Sequence, residues 1–399
     1  MSDPAHGAHG READFDSILG RVHDLGREVL AAHAGDVDRD ARFPREAVTA
    51  LRRAKLLTSL VPRDRGGLGL TVGQVARVCD ALGQYCGSSA MIFAMHQIQV
   101  ACIVHHARKS SYFRDYLGRL VEEQRLIASA TTEVGVGGDL RSSKCAVQAE
   151  GDSFRLTKQA PVISYGADAD DILITCRRGP DAAPNEQVQV LVCRADCAMT
   201  PLSGWDTLGF RGTCSSGFTV TATGSAAQIL PEPFADILSR TMHPVSHLVW
   251  GSLWCGIAAD AVNRARAFVR AEARKTPGET PLCAVRLSEV DQVLQEMRHN
   301  IAALAGEYES LLAADDPAAF GGFGFAIRTN NLKLSCSRQI VDIVGRAMLI
   351  CGVSGYRNDS KYSLCRHLRD AYGAALMVNN DRIAQLNATM LLAHKEGSP

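Results

Sequence analysis

Of the side chains in this 399-residue chain whose types allow proton transfer, three stand as candidates: His96 in "AMHQIQ", His247 in "VSHLVW" and Asp381 in "NNDRI". A histidine titrates near neutrality, so His247 can offer a neutral imidazole as a base. His96 lies in an apolar helical stretch, where a lone histidine is ordinarily a satisfied core residue. An aspartate in "NNDRI" is ordinarily a helix cap or an arginine partner. Metal chemistry has little footing, because the thirteen cysteines contain no C-x-x-C pair and their closest members are Cys193 and Cys197. Small, buried, reduced thiols are the better reading of them. "GVGGD" (135–139) neither follows a suitable strand pattern nor precedes G-K-S/T, so it is not a dinucleotide or P-loop turn.

The elements that must position these groups follow the hydrophobic period. Helical spacing runs from about Asp14 to Gln124, with Leu51, Ala54 and Leu57 as one stripe and "RDRGGLGLT" as a loop. The period changes to two between about Leu126 and Glu232. There "SKCAVQAEGDSFRLTKQ" reads as a hairpin about Gly151-Asp152, and "DDILITCR", "VQVLVCRA" and "SGFTVTAT" as further strands. Helical spacing returns from about Phe234, with Ile257, Ala261, Ala265 and Phe268 on one face. The expected organisation is a flexible tail over 1–13, an N-terminal helical domain over 14–125, a middle antiparallel β domain over 126–233 and a C-terminal helical domain over 234–395. Helices, then strands, then helices make an α+β chain, mostly α, and not a Rossmann sheet. A net charge of zero argues against nucleic acid or an anionic membrane as the main partner. No apolar run is expected to span a membrane, and the first residues lack a signal-peptide core, so a cytoplasmic protein is expected.

Several stretches, in order, resemble the acyl-CoA dehydrogenase family. They are "FPREAVTALRRAKLLTSLVPRDRGGLGL", "SATTEVGVGGDLRSSKCAVQAEGDSFRLTKQAPVISYGADADDILITC", "LGFRGTCSSGF", "EARKTPGET" and "ICGVSGYRND". The resemblance implies a β-barrel-like middle domain, a C-terminal four-helix bundle, FAD held between domains, and a homodimer or homotetramer. It places Thr131, Thr132, Val162 and Ser164 at the flavin. It places Arg274 and Thr276 at the FAD pyrophosphate, where an arginine suits bidentate phosphate recognition. Gly352 and Asn380 are carried over as further cofactor contacts, and Gly138 and Ser246 as substrate contacts. Departures are Val162 for an aromatic residue, Pro277 for the phenylalanine after "RKT", and Leu349 for a glutamine before a turn that reads Gly352-Val353-Ser354-Gly355.

The family oxidises the Cα–Cβ bond of an acyl thioester, carried on CoA or a carrier protein, using a glutamate base. That glutamate's usual place is Val378, and its alternative place on the first bundle helix is Ser246. His247, Asp381 and His96 are therefore the candidate replacements. The Val378 backbone N–H could still polarise a thioester carbonyl. The expected function is an FAD-dependent acyl-thioester dehydrogenase with a displaced base and an unspecified electron acceptor. Alternatives are a flavin monooxygenase on the same fold, for which His96 and Ser164 suit the chemistry, and a non-catalytic flavoprotein.

Overall fold

The computed structural model describes residues 4–137, 139–314 and 317–394. Gly138 lies outside the described residues. The N-terminal helices are α1 (Pro4–Leu25), α2 (Ala31–Arg39), α3 (Arg45–Arg53), α4 (Val72–Gly83), α5 (Gly87–His106) and α6 (Ser111–Glu123). Helix begins at Pro4, within the stretch 1–13 expected as a tail. Thr71 caps α4 in a reciprocal pair with Gln74, the signature of a helix start. α5 is apolar nearly all round and therefore sits inside the molecule. It and the segment Phe234–Ala273 are long and apolar enough to cross a membrane, contrary to expectation, yet nearly all of both is buried against the rest of the protein.

The middle strands are β1 (Ile127–Ala130), β2 (Gln148–Glu150), β3 (Ser153–Ala160), β4 (Asp171–Arg177), β5 (Gln187–Cys193), β6 (Cys197–Ser203) and β7 (Gly217–Ser225). They form two sheets, in orders β1-β4-β5 and β2-β3-β7-β6. The hairpin falls where Gly151-Asp152 places it, pairing Glu150 with Ser153. β3 alternates exposed and buried, whereas β4 and β5 are buried on both faces, carrying the polar Asp171, Thr175, Gln187 and Gln189 inside with them. One pairing departs from the antiparallel expectation: β1 runs parallel to β4. The chain between them crosses through β2 and β3 of the other sheet, a non-local excursion that periodicity cannot reveal. Asp171 pins this junction, accepting Arg125 Nε at 2.6 Å and Nη2 at 2.7 Å, and the Tyr116 hydroxyl at 2.7 Å.

The C-terminal region holds α7 (Phe234–Ile237), α8 (His243–Ala273), α9 (Leu282–Ala314), α10 (Pro317–Phe320), α11 (Phe323–Cys351), α12 (Val353–Tyr356), α13 (Cys365–Leu376) and α14 (Asn380–Ala393). α8, α9 and α11 pack on one another, with α13 and α14 against α11. α8 also crosses α4 at two glycines. A Cβ on Gly256 would stand 2.0 Å from the Asp80 carbonyl oxygen, and one on Gly83 2.4 Å from that of Leu253. That close approach fixes the helix whose first turns carry Ser246 and His247.

Candidate functional site at the β1 end and the α8–α11 seam

β1 starts on a histidine. The Ile127 N–H donates to His96 Nδ1 at 3.0 Å, so the ring proton sits on Nε2 and is donated to the Leu57 carbonyl at 2.7 Å. Burial holds this ring down to about 4, so it is neutral in use. Both nitrogens are spent on backbone. His96 thereby joins α5 to the strand that leads into Thr131 and Thr132, and no lone pair remains for a substrate proton.

Beyond β1, Glu133 organises the Gly-rich turn. It accepts the Ser143 hydroxyl at 2.6 Å and the N–H groups of Lys144 at 3.1 Å and Cys145 at 2.7 Å. The buried Lys158 ammonium lies 3.6 Å from it and also donates to the Thr131 and Thr175 carbonyls. Across this turn the Thr132 hydroxyl donates to Val162 O at 3.2 Å, which brings the two expected flavin segments together. Ser164 Oγ accepts from Ser215 at 2.8 Å, while the N–H groups of Ile163 and Tyr165 go to Ser216 and Thr213. The backbone N–H groups of Thr132 and Ser164 have no partner among the described residues. Beside them Val134 and Val162 are 47% and 39% exposed. Unpaired donors beside bare apolar side chains fit a flavin, whose polar edge needs hydrogen bonds and whose ring needs an apolar cover.

A second polar cluster lies where the family's base would stand. His247 Nδ1 is 2.9 Å from the His243 carbonyl, which can only accept, so Nδ1 carries the proton. Nε2 is left as a bare lone pair, buried and without a partner. Burial first, then His243 and Lys333, hold the His247 pKa well below the usual histidine range. Ser246 Oγ donates to the same carbonyl at 2.8 Å, so it is turned to its own helix. His243 Nε2 meets Asn330 Oδ1 at 2.7 Å, and amide contacts continue to Asn387 at 2.8 Å and Asn331 at 2.9 Å.

Lys333, on α11, is fully buried and donates to Asn380 Oδ1 at 2.6 Å and to the Val378 carbonyl at 3.3 Å. No carboxylate pairs with it among the described residues. Burial alone pushes it down to about 8. Val378 itself sits at φ 44°, a left-handed conformation costly for a β-branched residue. The cluster is thus imidazole, ammonium and amide, held together by three helices and one strained turn.

Other expected residues lie apart from these clusters. Asp381 is exposed, and its N–H and that of Arg382 donate to Asn379 Oδ1 in the first turn of α14. A carboxylate there suits the helix dipole. Arg382 reaches the Gly137 carbonyl and ties α14 to the Gly-rich turn. Arg274 and Thr276 lie exposed beyond α8; Arg274 lines a cavity of about 620 Å³ with Arg264, Arg270, Lys361 and Tyr362. Gly352 ends α11 at φ 57° and ψ −140°, which requires glycine. Sequence reasoning missed Lys333 and the role of Glu133. The available signal for Lys333 was a lone cation inside the apolar helical stretch "NNLKLSC".

The comparisons with known proteins agree with this architecture. The family model described as acyl-CoA dehydrogenase, N-terminal domain, matches residues 13–124, and the one described as acyl-CoA dehydrogenase, C-terminal domain, matches 245–377. The chain is 25% identical over 372 residues to the amino sugar nitrososynthase DnmZ of Streptomyces peucetius, covering 88% of this chain and 86% of that protein. It is 24% identical over 379 residues to the cyclohex-1-ene-1-carbonyl-CoA dehydrogenase of Syntrophus aciditrophicus, covering 92% and 87%. The crystal structure of FMN-bound TdsC from Paenibacillus sp. A11-2 superposes with a TM-score of 0.83 at 20% identity, over 95% of this chain and 98% of that one. Two matched domains in order, over one shared fold, make this chain a member of the acyl-CoA dehydrogenase family.

Proposed function

We propose that the chain is a flavin-dependent monooxygenase built on the acyl-CoA dehydrogenase fold. The observation that carries this reading is the absence of a carboxylate at the α8–α11 seam among the described residues. Val378 and Ser246 hold the two family positions, and Asp381 is exposed on α14. Removing an α-proton from a thioester needs a base matched to the task. His247, neutral and with its pKa held far down by burial, is a weak base but a good hydrogen-bond acceptor. Oxygen transfer to a nucleophilic nitrogen or sulfur needs no such base. The relatives include a nitrososynthase by name, which supports that class of substrate.

Thr131, Thr132, Val162 and Ser164 would hold the flavin ring, with the N–H groups of Thr132 and Ser164 on its polar edge. When bound and reduced, the flavin supplies the electrons that activate dioxygen. The residues of the seam then orient the substrate: His247 Nε2 accepts an N–H or O–H, and the Val378 N–H donates to an oxygen. FAD is proposed over FMN because Arg274 has no ion-pair partner among the described residues and is free to take a pyrophosphate, from a second copy of the chain. Exposed Leu349, Val353, Tyr356, Tyr372 and Leu376 on neighbouring helices support such self-association. An acyl-thioester dehydrogenase is the second reading, favoured by the free Val378 N–H.

The test is anaerobic. Flavin-loaded protein is mixed with acyl-CoA thioesters of several chain lengths, and the flavin spectrum is followed. A monooxygenase leaves the oxidised spectrum unchanged with every thioester. Bleaching by any of them would sink the proposal in favour of the dehydrogenase.

A further inference from the structure

Lys333 is a group of the seam to which the expected chemistry gives no role. It bridges two elements through one ammonium: the Val378 carbonyl in the turn that closes α13, and Asn380 Oδ1 at the start of α14. Asn380 is in turn held by Ser337 at 3.1 Å, one turn along α11 from Lys333. The turn it anchors, 377–379, contains the strained Val378, and a strained conformation persists only where its surroundings enforce it. The Val378 N–H has no partner among the described residues, so the anchored turn holds a free backbone donor. The same ammonium acts on His247 across the α8–α11 seam.

We propose that Lys333 is a positioning residue: it locks the Val378 turn so that its N–H is presented to the substrate alongside the bare His247 Nε2. The substrate then meets one fixed donor and one fixed acceptor. This selects molecules that present an oxygen acceptor and an N–H or O–H donor together, and it disfavours purely apolar ones. The selection rests on the monooxygenase reading; the locking of the turn does not. Tethering by a buried cation also explains why α11 carries a lysine with no acidic partner among the described residues. The groups acting on His247 are His243 on its own helix and Lys333 on α11. Losing Lys333 therefore raises the His247 pKa, and activity that needs the bare lone pair fails at a higher pH.

The test compares Lys333→Met and Lys333→Arg with the wild-type protein. Hydrogen exchange is read over two stretches, 372–386 and 127–134. In Lys333→Met, exchange in 372–386 rises about tenfold or more while 127–134 stays protected, the behaviour of local opening. Lys333→Arg restores most of the protection. In turnover, the acidic limb of the Lys333→Met profile moves up by about half a pH unit or more, and in Lys333→Arg it does not. Wild-type exchange rates over 372–386 in Lys333→Met would overturn the locking role. If Lys333→Met does not fold, the Arg variant decides: an acidic limb that moves despite the retained charge would overturn the electrostatic role. Wild-type protein that consumes no oxygen with reduced flavin would sink the monooxygenase reading and leave the exchange result standing.

Discussion

Replacing His96 by leucine tests whether that residue positions β1 or takes part in chemistry. The ring lies wholly inside the protein between the Ile127 N–H and the Leu57 carbonyl. Leucine removes both contacts, but the consequences are unequal. Leu57 O keeps a donor, Gln97 Nε2 at 3.1 Å, so it is not stranded. The Ile127 N–H has no substitute, and an unpaired buried donor costs about 1–3 kcal/mol. With the lost bond to Leu57 at about 1 kcal/mol, the expected destabilisation is about 2–4 kcal/mol. The pH dependence is a second handle. Burial lowers the folded pKa to about 4, below the unfolded value near 6.5. The unfolded ring therefore binds its proton first, and this contribution to stability is full above pH 6.5 and lost as pH falls towards 4. Its size is on the order of 3 kcal/mol, and the leucine variant lacks it. Urea unfolding followed by circular dichroism should give the wild type a large advantage at pH 7 that shrinks or vanishes by pH 4. Flavin affinity should weaken as well, since β1 leads into Thr131 and Thr132. A stability gap that held constant with pH would refute the tautomer and burial reasoning. A variant as stable as wild type but without turnover would return His96 to the catalytic candidates.

Glu133→Gln removes the counter-charge of buried Lys158, and a broken buried pair costs about 3–5 kcal/mol; the urea midpoint should fall, and protease should cut the Gly-rich turn sooner. Asp370 accepts the Phe210 N–H at 2.6 Å in a buried site, and burial raises its pKa to about 6. Its folded form holds a proton that the unfolded form releases, so wild-type stability declines as pH rises from about 4 to 6. Asp370→Asn should abolish that decline and be the more stable protein at pH 7, by on the order of 3 kcal/mol; a parallel pH dependence in both would refute it. Leu349→Asp, at a side chain 72% exposed, should lower the mass measured by light scattering if that face joins two copies. An unchanged mass would place the contact elsewhere.

Legibility from sequence followed the range of the interactions. The hairpin at Gly151-Asp152 depends on neighbours in the chain and could be read there. Val378 stood out because the surrounding "RDA" marks the family's base position, and the ordinary expectation for a lone buried histidine described His96 correctly. The parallel β1–β4 pair could not be read, since its partners lie more than forty positions apart with another sheet between them. Lys333 was equally hidden. Its meaning comes from Val378 and Asn380, which reach it only when α13 and α14 fold back on α11. The same holds for the bare Nε2 of His247, which depends on the carbonyl of His243 taking the ring's single proton. Residue type is local, but what a polar group still lacks is set by the packed fold.

The most direct measurement is isotopic. The protein is given externally reduced flavin, a panel of amines and sulfides, and oxygen gas labelled with oxygen-18, and the products are examined by mass spectrometry. A monooxygenase incorporates one labelled atom per oxygenated product, and the label disappears when protein or reduced flavin is omitted. Products without label, together with an acyl thioester that reduces the bound flavin in the absence of oxygen, would contradict the proposed reaction.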